Sequence, residues 1–92
     1  MNAAGAETLA IQALGWLSRD DEMLMAFLSA SGAGVDDLRS AAQSPEFLAA
    51  LLDFVLSDEG LLIRFCDDCG LGYDRPMRAR QLLPGGDLPN WT

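Results

Sequence analysis

The chain matches itself. Residues 13–43 align with residues 51–81 at a constant offset of 38 without a gap, and nine positions are identical. They are Leu14/Leu52, Asp20/Asp58, Leu24/Leu62, Phe27/Phe65, Gly32/Gly70, Gly34/Gly72, Asp36/Asp74, Ala41/Ala79 and Gln43/Gln81. A chain this rich in Leu and Ala gives about three such identities by chance, so the match predicts a duplicated unit. A duplicated unit of this length assigns most residues to architecture and leaves few to carry chemistry.

Each unit reads as helix, tight junction, helix, glycine turn and short helix. Leu9, Ala10, Ala13, Leu14, Trp16 and Leu17 recur at three- and four-residue spacings, which predicts a helix over 7–18 with one apolar face. Asp20 and Asp21 then stand where free backbone N–H groups and the helix dipole favour carboxylates, and Met23, Leu24, Phe27 and Leu28 form the next stripe. Gly32 suits a left-handed C-terminal cap, and Asp36 is placed to cap a short helix over 38–43. In the second unit Ser44-Pro45 is a helix start, because proline is tolerated in the first turn, and residues 47–56 form the most apolar helix of the chain. Ser57 or Asp58 caps a helix over 61–69, Gly70 and Gly72 turn the chain, and Asp74 is placed to cap the last helix before Pro84-Gly85-Gly86.

No stretch reads as strand, so the expected fold class is all-α, a compact bundle of about six helices built from two similar units, 7–43 and 45–81. The expected organisation is a flexible N-terminus over 1–6, a single domain over 7–83 and a Pro/Gly-rich tail over 84–92. Leu14, Trp16, Leu24, Phe27, Leu52, Phe54, Leu62 and Phe65 are the expected core. The helix with Leu51, Leu52, Phe54 and Val55 belongs at its centre, since a helix apolar around most of its circumference must be covered on several sides.

Ninety-two residues make one small domain with a high surface-to-volume ratio, and half of them are apolar. Surplus apolar surface on so small a body points to self-association. The net charge is −8, which disfavours nucleic acid and anionic membranes as partners, because both are bound through cations that neutralise phosphate. Charge is also unevenly spread: residues 1–74 hold three Arg against thirteen acids, whereas 75–92 hold three Arg against Asp87. Neither a basic leader with an apolar core nor a run of transmembrane length is visible, and two Cys without an export signal place the chain in a reducing cytoplasm.

Leu9-Ala10-Ile11-Gln12-Ala13-Leu14, Ser44-Pro45-Glu46-Phe47-Leu48 leading into Leu52-Asp53-Phe54, Asp58-Glu59 before Leu61-Leu62, and Leu83-Pro84-Gly85-Gly86-Asp87 together resemble a small all-α bacterial family catalogued as domain of unknown function 3572. The resemblance implies bacterial origin and a helical fold. It supplies no activity, ligand, cofactor or catalytic residue.

Cys66-Asp67-Asp68-Cys69 has the spacing of dithiol redox motifs and of half a zinc site. Both thiols fall at the end of a predicted helix with two carboxylates between them, which disfavours thiolate, and without His the chain offers zinc only Cys66, Cys69 and carboxylates unless two copies share one ion. Cys66 also aligns with Leu28, a stripe position, so packing explains it. A thiol redox or metal-binding protein using Cys66 and Cys69 is the first alternative. The turn from Ser31 to Asp36 resembles a helix-turn-helix junction, but the helix after it offers only Arg39 and Gln43 beside Asp36 and Asp37. A nucleic-acid binder of that kind is the second alternative. Paired acids fit helix starts, and Asp53, inside an apolar helix, calls for exposure or for a partner such as Arg64. No triad that needs histidine can form.

Arg75, Arg78 and Arg80 on the last helix and Trp91 in the tail remain as candidate interaction residues. The sequence is thus read as a non-enzymatic interaction or assembly module without catalytic, metal or cofactor residues. Its expected partner is itself, as a homodimer packed through an apolar helix face, or an unidentified protein.

Overall fold

A computed structural model describes residues 1–32, 40 and 42–83. Its described residues form five helices and no strand: α1 (Ala3–Leu17), α2 (Asp21–Ser31), α3 (Pro45–Leu56), α4 (Glu59–Cys69) and α5 (Arg75–Gln81). The fold is all-α. The short helix expected over 38–43, with its cap Asp36 and with Gly34 and Arg39, falls largely outside the described residues, as do the tail and Trp91. The six-helix count is therefore five here, and the duplication at the level of whole units is not visible.

Local chemistry sets the helix ends. Asn2 Oδ1 accepts from the Gly5 N–H at 2.8 Å, so α1 starts at Ala3 rather than at residue 7, and Ala6 is fully buried in the core rather than part of a flexible end. Asp20 Oδ1 accepts from the N–H groups of Glu22 and Met23, Ser44 Oγ from Phe47, and Asp58 Oδ1 from Leu61. Ser57, the alternative cap of α4, instead closes α3, its hydroxyl donating to Phe54 O at 2.7 Å. Gly32 and Gly70 end α2 and α4 with φ of 77° and 68°, a left-handed geometry in which any side chain is strained.

Asp74 departs from expectation. It precedes α5 but makes no capping bond: its backbone is helical rather than extended, Pro76 has no N–H to offer, and its carboxylate lies 3.5 Å from Arg78 Nε instead. The Arg75 N–H donates to Gly72 O at 3.0 Å and opens the helix in its place.

Helix α3 is the centre: it packs against all four others and buries Leu48, Ala49, Leu51, Leu52 and Val55. Helix α1 covers it with Leu9, Ala13, Trp16 and Leu17, and α5 seals the α1–α3 junction with Pro76 and Ala79. Of the expected core, Trp16, Phe27, Leu52 and Phe65 are buried, whereas Leu14, Leu24, Phe54 and Leu62 are half-buried and packed against its edge.

Candidate interaction groove

The half-buried Phe54 marks an open seam between α2 and α3. It projects from α3 toward α2, where its ring meets that of Phe27 at 5.4 Å, and Phe47 meets Phe27 at the same distance from the other side. Tilted and edge-on rings at this spacing favour each other electrostatically and fix α2 against α3. Helix α2 contributes only Phe27 and Leu28 to the buried core, against six residues from α1, with Met23 and Leu24 half-buried at its edge.

Two depressions meet at Phe54. One, of about 410 Å³, lies between α2 and the α3–α4 junction, with Met23, Ala26, Phe54 and Leu61 as its apolar lining and Glu22, Asp58 and Arg64 as its charged lining. The other, of about 260 Å³, continues past Phe54 between Phe27, Ala30, Ala50 and Asp53. Together they form an apolar groove flanked by acids. The cation in its lining, Arg64, is engaged: Nη2 lies 3.0 Å from Met23 Sδ, and the guanidinium sits 6.0 Å from the Trp16 ring centroid.

Arg64 is therefore not the partner of Asp53. Packing of α5 on α3 brings Arg80 there instead, with Nε 2.7 Å from Asp53 Oδ1; Arg80 is largely covered, and Asp53 is exposed. The three arginines of α5 accordingly divide: Arg80 turns inward, Arg78 pairs with Asp74 at the surface, and Arg75 is exposed.

Cys66 is fully buried, with its thiol donating to Gly72 O at 3.6 Å, and Cys69 is half-buried; both are free thiols. Burial, then the neighbouring charge of Asp67, Cys69 and Asp74, pushes the Cys66 thiol above its ordinary range. A thiol so held stays protonated at neutral pH, the opposite of what a redox nucleophile requires. Among the described residues no three His, Cys, Asp or Glu side chains converge to hold a metal ion.

The acids between the cysteines have roles that their sequence position did not suggest. They stand at the end of α4, not at a helix start, and reach outward as acceptors: Asp67 Oδ1 from the Tyr73 hydroxyl at 2.7 Å, Asp68 Oδ2 from the Trp16 indole at 2.8 Å. The bond to Asp67 raises the Tyr73 pKa. An aromatic donor within reach of each acid was the available signal, but the approach of α1 to α4 cannot be read from either segment alone.

Fold and groove define a small helical domain with an apolar recess. The chain belongs to the family of proteins of unknown function DUF3572, whose model matches residues 3–86. No curated protein and no solved structure matches it. Among the described residues, no helix is long and apolar enough to cross a membrane.

Proposed function

We propose that this protein is a non-enzymatic assembly module that self-associates through the groove between α2 and the α3–α4 hairpin. The observation that carries the reading is the groove itself: Phe54, Met23 and Leu61 line a recess next to the exposed Ala26, on a molecule that also exposes Met25, Met77 and Leu82 by 41–57%. A chain of this size gains most from covering such surface with a second copy, since apolar burial is the main favourable term in association.

The test is light scattering on a sizing column under reducing conditions across a dilution series, for the native chain and for Ala26→Arg. Ala26 lies in the groove and is exposed, so arginine there fills the recess while the core stays intact. The native chain should run at twice the mass of one chain and the variant at the mass of one. A native chain that stays monomeric at every concentration overturns self-association, and an unchanged dimer in Ala26→Arg moves it away from the groove.

A further inference from the structure

We infer that the element entering the groove is the outward face of α5 of a second copy, an inference that rests on the self-association just proposed. Two surfaces of the same molecule carry it. Glu22 and Asp58 lie in the groove lining, and Asp20, Asp21 and Glu59 stand beside them at the starts of α2 and α4. Arg64 keeps its charge against the Met23 thioether and the Trp16 ring, so the groove holds one cation in its lining, and the acids around it outnumber that cation.

Helix α5 is the counterpart. At about 100° per residue, Met77, Arg78 and Gln81 lie opposite the buried Pro76 and Ala79, with Leu82 continuing their row. Met77 is 57% exposed and Leu82 41%, and Arg75 flanks Arg78 one turn earlier. The face thus mixes Met77 and Leu82 with Gln81, Asp74 and two cations, and its net charge is positive where the edge of the groove is negative. Arg78 is held only by the exposed Asp74 at 3.5 Å, a surface pair weak enough to be exchanged for a carboxylate of another molecule.

Because Pro76 and Ala79 fix α5 against its own α1 and α3, the opposite face is turned to the surface, where Met1 of the same chain lies beside Arg78, Gln81 and Leu82. A short helix presenting an exposed methionine beside cations, laid into an apolar groove with acidic edges, is a familiar mode of helix recognition. Charge complementarity of this kind sets the partner and the register more than the raw affinity.

The test is the dimer dissociation constant, read by light scattering and sedimentation, for Arg75→Glu/Arg78→Glu, for the neutral Arg78→Gln, for Arg78→Glu alone, and for the charge exchange Arg78→Glu with Glu22→Arg. Circular dichroism on each checks that the helices persist. The double reversal should weaken the dimer roughly tenfold or more, Arg78→Gln should weaken it less, and the exchange should recover part of the loss relative to Arg78→Glu alone. An unchanged dimer in Arg75→Glu/Arg78→Glu, while Ala26→Arg remains monomeric, overturns the α5 assignment and leaves the groove as the interface. Failure of the exchange to recover any affinity also overturns it. A monomeric native chain removes both this inference and the self-association beneath it.

Discussion

Trp16 and Asp68, 52 residues apart, are joined by a 2.8 Å hydrogen bond from the indole N–H to Oδ2, which fastens the end of α1 to the end of α4. The same indole packs on Phe65 with ring centroids 5.4 Å apart and carries the Arg64 guanidinium on its other contact. A tryptophan buried by its ring and satisfied at its nitrogen is both packing and fastener. Asp68→Ala should therefore cost about 1 kcal/mol, the net worth of one such bond with its donor left partly buried. Urea titration followed by Trp16 fluorescence in a Trp91→Phe background measures it; an unchanged midpoint would contradict the role given to Asp68.

Leu52 and its sequence counterpart Leu14 should respond differently to truncation. Leu52 has no exposed surface and sits on the central helix α3, whereas Leu14 is half-buried on α1. Leu52→Ala should cost about 2–5 kcal/mol, a large share of the stability of a domain this small. Leu14→Ala should cost about half as much, since less area is lost and the space can partly collapse. Thermal melts of the two variants compare them directly; equal losses would mean that α3 is not the centre of the core.

That contrast shows what the sequence made legible. Caps and stops were readable because they are local: Asp20, Ser44 and Asp58 bond to N–H groups two or three residues on, and Gly32 and Gly70 turn the chain at their own φ. The apolar stripes placed Trp16, Phe27, Leu52 and Phe65 inside for the same reason, a period of 3.6 residues. The groove was not legible, because it is made by the angle at which α2 leaves α3, which no single stripe encodes. Asp53 shows the same limit: its neighbours in sequence suggested Arg64, but the docking of α5 decided for Arg80.

The Asp53–Arg80 contact should couple more strongly than the other ion pair on α5. Arg80 keeps only 19% of its side chain exposed and meets Asp53 at 2.7 Å, whereas Arg78 and Asp74 are 66% and 69% exposed and 3.5 Å apart. A double-mutant cycle of Asp53→Asn with Arg80→Gln should return about 0.5–1 kcal/mol, and one of Asp74→Asn with Arg78→Gln about 0.3 kcal/mol or less. The first coupling should also survive moderate salt better, since its cation is partly withdrawn from the screening ions. Equal couplings in low salt would count against α5 being pinned to α3 by this pair.

Cys66 should report the stability of the α4 C-terminus at alkaline pH. Its thiol is raised above the ordinary value of 9.0 in the folded chain, by burial first and by nearby negative charge second. The folded state therefore holds the proton more tightly than the unfolded state. Its contribution is complete below the unfolded pKa and is lost as pH rises from there through the folded value. Urea midpoints should accordingly be level up to about pH 8 and fall beyond about pH 9, and Cys66→Ala should flatten the first part of that fall. Tyr73, whose pKa is raised from 10.0 by its bond to Asp67, adds its own loss at higher pH in both chains, so the comparison isolates the thiol. Thiol labelling at pH 8 should likewise resolve two rates, a fast one at half-buried Cys69 and a slow one at Cys66 that reaches the fast rate only in denaturant. A single fast rate for both cysteines in the folded protein would show that the α4 end opens freely and that Cys66 is not held in the core.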